Sequence, residues 1–316
     1  MDDSYEPMRG RYRSPVYRRL SHGLMMRQAE LGTRDERLRD LAAWRLVLPP
    51  DAVFTHVTAA WLFDWWLPAL PEYVPTFAAT TASTRPRRAG LTCSRLDTVA
   101  VQVHRYGIPV DHPAEVLLRA ARDLAVLDLV VLMDAALARS DVEVDELRTL
   151  AFSRRPGSRR LRAALDLSHG RSESAWESLL RVFHDVAEID VEPQVEILDP
   201  TGAFVARADL IVLATGDLHE YDGRGHDDPR QRTLDLRRLR RLQEAGRVRR
   251  GFTAADLVVR ASVTMHELDR AVGRPHDPRR TQRWLTLLKQ SCLTAAGRDR
   301  LQNRWLATRH WSQTPA

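Results

Sequence analysis

The sequence predicts an α/β chain of the α+β kind, with a mostly helical N-terminal domain bearing a small sheet, then an αβββαβ core, then a helical C-terminal extension. Three observations carry this. Apolar residues recur at spacings of three and four in several runs before residue 187. Short alternating runs bounded by turn residues occur between 76 and 104 and again between 193 and 222. Beyond Ser262 the pattern is polar and helical to about Leu306. At 316 residues the chain is long enough for two domains.

Taken in order, residues 1–27 are rich in Arg and Pro and read as a flexible arm. Leu38, Leu41, Ala42 and Leu46 give a helix over 34–46, stopped by Pro49-Pro50, and Thr55 to Leu67 gives a second with a Leu and Trp face. Thr76 to Thr81, Leu91 to Arg95 and Val99 to His104 read as strands. Asp111-His112-Pro113 is a helix start with proline in the first turn, and two helices follow, through Arg122 and Leu137. Two short helices broken at Pro156-Gly157 fill 142–167, where Arg154, Arg155, Arg159, Arg160 and Arg162 cluster. Ser174 to Ala187 reads as a helix, Pro193 to Asp199 as a strand, and Asp199-Pro200-Thr201-Gly202 as a turn. Ala203 to Leu213 and Asp217 to Asp222 form a hairpin, followed by a helix over 228–245, a strand ending at Phe252 and a helix opened by Thr253. The boundaries that result are 1–27, 28–152, an Arg-rich linker at 153–172, 173–260 and 261–316.

Composition narrows the function classes. Cys93 and Cys292 are the only cysteines and have no CxxC partner, against a disulfide scaffold or a structural zinc site and in favour of a cytoplasmic chain. The first ten residues hold three acids and no apolar core, unlike a secretory signal, and Leu124 to Leu137 is too short to span a bilayer, so no membrane partner is expected. There are 48 basic and 42 acidic residues, a net +6, and Lys289 is the only lysine. Codon usage accounts for that ratio, but position matters more: residues 230–250 hold nine arginines against Asp235 and Glu244, a local +7. Either Arg237, Arg238, Arg241, Arg249 and Arg250 follow a phosphate backbone, or the segment is a solvated face whose arginines pair with Asp235 and Glu244.

The hairpin carries the chemistry. If it is centred between Ala214 and Thr215, Asp209 faces Glu220; centred between Thr215 and Gly216, it faces Asp222. Both registers put all three carboxylates on one face, with opposed Cβ atoms about 5 Å apart. Such a set points to a hard divalent cation, Mg²⁺ or Mn²⁺. The competing reading is a solvated hairpin in which Arg207 pairs with Asp222. Ser174 and Glu177 fit a capping box, with Glu177 returning a bond to the Ser174 amide. His169, His184 and His219 read as surface or half-buried residues, and the Trp61, Trp65 and Trp66 cluster as core.

Taken together, SxxE on a helix, the DPTG turn, "FVARADL", "HEYDGRGH" and an Arg-rich helix ending in "AGRVRRGFTAADL" resemble the very-short-patch-repair-like domains of the PD-(D/E)XK nuclease superfamily, over about residues 170–258. The resemblance implies a restriction-endonuclease-like core, with Asp209 and Glu220 as metal ligands, Glu177 as an outer acid acting on water, and His226 as general base or acid. Asp222 stands where the wider superfamily has its lysine, and repair-type members use histidine instead.

The first half, with "VYRRLSHGLMM", "LPPDAVFTHVTAAWLFDWWLP" and "YGIPVDHPAEVLLRAARDLAVLDLVVLMDAAL", resembles the AbiEi-type antitoxins of type IV toxin–antitoxin systems, residues 1–27 then being a remnant wing. It implies DNA as a partner and a cognate toxin or a second copy as another. Three functions follow as expectations: a metal-dependent DNA endonuclease in defence or repair, a non-catalytic DNA-binding regulator that keeps the nuclease fold, and a protein-interaction scaffold.

Overall fold

The computed structural model describes residues 7–10, 16–29, 32–199, 201–223 and 238–310. His226, Arg237 and the start of the helix expected from residue 228 lie outside the described residues.

The chain is α+β with a helical C-terminal region. A three-stranded sheet in the order β1-β3-β2 opens it, formed by β1 (Met8–Arg9), β2 (Tyr17–Ser21) and β3 (Leu24–Arg27). Residues 17–27 are therefore ordered sheet in place of the expected flexible arm, with Leu24, Met25 and Met26 buried against helix α1 (Thr33–Arg45). A five-stranded sheet follows, β6-β5-β4-β8-β7, from β4 (Val53–Phe54), β5 (Thr76–Thr80), β6 (Leu91–Arg95), β7 (Gln102–Arg105) and β8 (Ile108–Asp111), with α2 (His56–Leu62) packed on β5. Here α2 stops at Leu62, five residues short of the expected end, and Trp65 is buried beyond it with its indole N–H on Asp141.

Helices α3 (Pro113–Ala120), α4 (Val126–Ala138), α5 (Val144–Ala151) and α6 (Ser158–Leu165) lead to α7 (Ala175–Val186). Next come β9 (Val191–Leu198), β10 (Phe204–Val212), β11 (Leu218–Tyr221), helix α8 (238–244) and β12 (Arg249–Phe252). The last four strands form one sheet in the order β12-β11-β10-β9, antiparallel except that β12 runs parallel to β11. Helices α9 (Ala254–Val258), α10 (Ala261–Ala271), α11 (Pro278–Gln290) and α12 (Ala295–His310) complete the chain.

One core joins these parts, running from Leu24 to Trp305. Its axis is α4, whose sequence VLDLVVLMDAALA is apolar on all sides and buried accordingly. The 153–172 segment contributes to it, since Leu161 and Ala164 of α6 are fully buried. Two carboxylates on α4 interrupt the apolar surface, and both are fastened. Asp128 accepts from Ala125 N at the helix start, and from Ser291 Oγ (2.6 Å) and Cys292 N (3.1 Å) at the end of α11. Asp134, fully buried, accepts from His169 N (3.0 Å) and from Arg181 Nη2 of α7 (3.0 Å). These bonds tie the first half of the chain to α7 and to the C-terminal helices.

Removing Asp134 takes from the buried Arg181 guanidinium its shorter and fully buried charge partner, leaving the 3.6 Å contact to Asp185. Asp134→Ala therefore lowers the unfolding free energy by about 3–5 kcal/mol in a urea titration; a loss under about 1 kcal/mol would show that α4 and α7 are held by apolar packing alone.

Candidate functional site

The hairpin settles the register left open by spacing. Leu210 pairs with His219 and Ile211 with Leu218, which centres the turn between Ala214 and Thr215. One step further along, Asp209 stands opposite Glu220. Gly216, at φ 75°, closes the turn with its N–H on Val212 O (2.7 Å).

The two faces of this sheet serve different ends. Leu210 and Val212 point into the main core against α7. Ile211 and Leu218, on the opposite face, pack with the fully buried Leu242 of α8 in a second, smaller core. Asp209 and Glu220 alternate with Leu210 and His219, so they share the α8 face. Arg238 lies four residues before Leu242, one turn along α8, and reaches Glu220 Oε1 (2.6 Å) and Arg207 O (3.1 Å).

Parallel pairing of β12 supplies the second cation. Arg249 is the partner of Leu218 and so lies on the same face; its Nε binds Glu220 Oε2 (2.6 Å) and its Nη2 binds Asp222. Gly251, beside Glu220, leaves room for the Asp222 carboxylate, because a Cβ there would lie 1.7 Å from Asp222 Oδ2. Thus Arg207 pairs with Glu173, and the partner of Asp222 is Arg249.

Glu177 departs from the expected capping box. Ser174 Oγ does accept from Glu177 N (3.2 Å), but the Glu177 carboxylate turns to Glu173 N (2.7 Å) and Gln194 Nε2 (2.9 Å). Gln194 faces Asp209 across β9 and β10 and sits at φ 56°, a strained backbone for a residue with a side chain. That local strain aims an amide at the acidic group, and no sequence signal marks it.

Asp209 is left in the middle. One oxygen accepts from Tyr221 N (2.8 Å), and the other has no hydrogen-bond partner among the described residues. Burial raises its pKa to about 6, with Glu177 and Glu220 nearby adding to the rise and the Tyr221 amide and Arg238 opposing it.

The residues anticipated for DNA are mostly engaged within the protein. Arg238 and Arg249 hold Glu220, Arg241 donates to Phe204 O (2.7 Å), and Arg250 pairs with Glu267 over the Phe252 ring. Arg238 and Arg249 act first as neutralising partners of a sheet that carries acids on one face. Nor are His184 and His219 surface residues. Both are buried, with His184 Nε2 2.7 Å from His219 Nδ1 and His184 Nδ1 2.8 Å from Leu180 O. Burial pushes both rings well below the usual histidine range, so they are neutral and brace α7 against β11.

Asp209 and Glu220 offer hard oxygen donors of the kind a divalent cation takes, and one Asp209 oxygen is unbonded among the described residues. Glu220, by contrast, has both oxygens on guanidinium groups, so an ion there shares or displaces Arg238 or Arg249. Among the described residues, no group of three His, Cys, Asp or Glu side chains is gathered closely enough to hold a metal. Also among them, no helix is long and apolar enough to cross a membrane. Comparisons with protein-family models, curated proteins and solved structures return no match.

The raised pKa of Asp209 has a testable sign. The fold disfavours its ionised form, so its contribution to stability falls as pH rises from about 4 to about 6. Asp209→Asn keeps an acceptor for Tyr221 N without the charge, and at pH 7 it stabilises the protein by about 1–2 kcal/mol after allowance for partial exposure. The gain disappears below pH ~4; a variant less stable than wild type at pH 7 would contradict this electrostatic account.

Proposed function

We propose that the chain is a metal-dependent DNA endonuclease, hydrolysing phosphodiester bonds at the Asp209–Glu220 pair. The observation that carries the proposal is a half-buried Asp209 carboxylate set beside Glu177 and Glu220, its pKa raised by burial and by those neighbours, with one oxygen unbonded among the described residues. The αβββαβ order, with β12 parallel to β11, adds support, as does the resemblance of the motif series to repair-type nucleases.

In this proposal Asp209 and Glu220 hold Mg²⁺ or Mn²⁺, which when bound polarises the phosphate and acidifies its water. Glu177, fixed by Gln194 and the Glu173 amide, would orient an attacking water beside Asp209. His226 moves the proton, and its position lies outside the described residues. Arg249 couples Glu220 to Asp222 and takes the place of the missing lysine as the local positive charge. Arg240 and Arg241, exposed on α8, and Arg247 line the approach of the DNA backbone.

One observation favours the second reading, a DNA-binding regulator without catalysis: Glu220 is already neutralised by two guanidinium groups. A single assay separates them. With Mn²⁺ or Mg²⁺ the purified chain nicks or cuts plasmid DNA, EDTA abolishes the activity, and Asp209→Ala removes it while DNA binding persists. Metal-independent binding with no cleavage by the wild-type chain would leave the regulator, and undiminished cleavage by Asp209→Ala would remove the site assignment.

A further inference from the structure

The arginine cluster of the 153–165 segment takes no part in the carboxylate site, yet it lines a cavity of about 820 Å³. Six arginines face this cavity, Arg122, Arg154, Arg155, Arg159, Arg160 and Arg304, and among the described residues no acidic one does. Three are held in place from behind. Arg155 grips Glu115 with both terminal nitrogens, Arg304 pairs with Asp123 (2.6 Å), and Arg160 donates to Ala121 O (2.9 Å) and Leu124 O (3.0 Å). Arg122, Arg154 and Arg159 form no ion pair among the described residues, and Arg122 Nε is a buried donor with no acceptor. Buried donors without partners are rare and call for a ligand, water or ion.

The local backbone is built around this opening. Gly157 adopts φ 98°, where a Cβ would lie 2.5 Å from Leu118 O, and it sets the amino end of α6 at the cavity wall. Guanidinium forks match phosphate oxygens in pairs, and a helix start favours anions. Three unpaired guanidinium groups in one concavity suit a compact polyanion with three or four charges.

A second cavity, about 750 Å³, adjoins the first and shares Arg122, Arg155 and Pro156 with it. Its walls are different in kind. Val99 and Val101 line it although they are 65% and 70% exposed, with Leu96 and His112 beside them, and four carboxylates line it too: Asp111 and Glu115, paired with Arg119 and Arg155, and Asp97 and Glu146. Arg119, also on the wall, is buried and its Nη1 has no acceptor. Valine side chains beside carboxylate acceptors suit an uncharged organic moiety that carries amino or hydroxyl donors.

We propose that the arginine cavity binds the oligophosphate chain of a nucleoside di- or triphosphate and that the adjoining cavity receives its nucleoside. This site is independent of the carboxylate pair, and its test runs in EDTA so that no cation chemistry contributes. Calorimetric titration of the full chain with adenosine and guanosine triphosphates and with inorganic triphosphate gives binding in each case, and the tighter binding of at least one nucleotide reports the second cavity. Arg154 and Arg159 are exposed, so the Arg154→Ala/Arg159→Ala protein keeps the fold and binds all three about tenfold more weakly or worse. Val99→Asp weakens only the nucleotides. The proposal is overturned if neither kind of triphosphate binds or if the double variant binds them unchanged. It is overturned equally if duplex DNA alone binds and loses affinity in the double variant, which would make the cluster a nucleic-acid surface. Equal affinity for inorganic triphosphate and both nucleotides would remove the nucleoside from the second cavity.

Discussion

Mutual repulsion among carboxylates on one sheet face is the constraint around which the second half of the chain is organised. Asp209 and Glu220 face each other across the hairpin, Asp222 follows on the same side, and Glu177 approaches from α7. Each acid has its own relief. Glu220 takes two guanidinium groups, Asp222 shares one of them, and Glu177 takes an amide and a backbone N–H. Among the described residues Asp209 has only the Tyr221 amide, and burial together with its acidic neighbours disfavours its ionised form. The placement of α8 and β12 follows from the same need, since each delivers an arginine to Glu220 while Leu242 seals the face beneath.

Buried carboxylates also hold the fold together, with opposite chemistry. Asp128 and Asp134 on α4 are saturated by donors from α7, α11 and the loop before α7. Because α7 carries both Arg181, bound to Asp134, and Glu177, beside Asp209, the helix that anchors the second half to the core also positions Glu177. Rigidity at the fold level is thereby passed to the site through one helix. The His184–His219 pair adds a second brace between α7 and the strand that holds Glu220.

Much of this arrangement was legible in the residues. Alternation of Ala208, Leu210 and Val212 with Asp209 and Ile211 marks a strand with two unlike faces, and the even-length turn at 213–216 carries the facing of Asp209 and Glu220. The αβββαβ order and the helices from Pro113 onward follow from proline, capping residues and spacing. Tertiary partners were not legible. Nothing in the sequence says that Arg238 and Arg249 turn inward to Glu220, because an arginine in a basic run looks the same whether it meets solvent, phosphate or a carboxylate. Gln194 escapes notice because its role depends on a positive φ, and His184 and His219 because a histidine beside polar neighbours gives no sign of which face it occupies. Strands β2, β3 and β8 are short and arginine- or proline-bearing, so their pairing is decided by the core they cover rather than by local propensity.

The central claim is that the Asp209–Glu220 pair is a cation site held closed by arginine. Anomalous diffraction from crystals soaked in Mn²⁺ tests it most directly. The account predicts one peak within bonding distance of Asp209 and Glu220, with Arg249 or Arg238 drawn away from Glu220. Density that keeps both guanidinium groups on Glu220, with no peak beside Asp209 at saturating Mn²⁺, would contradict it.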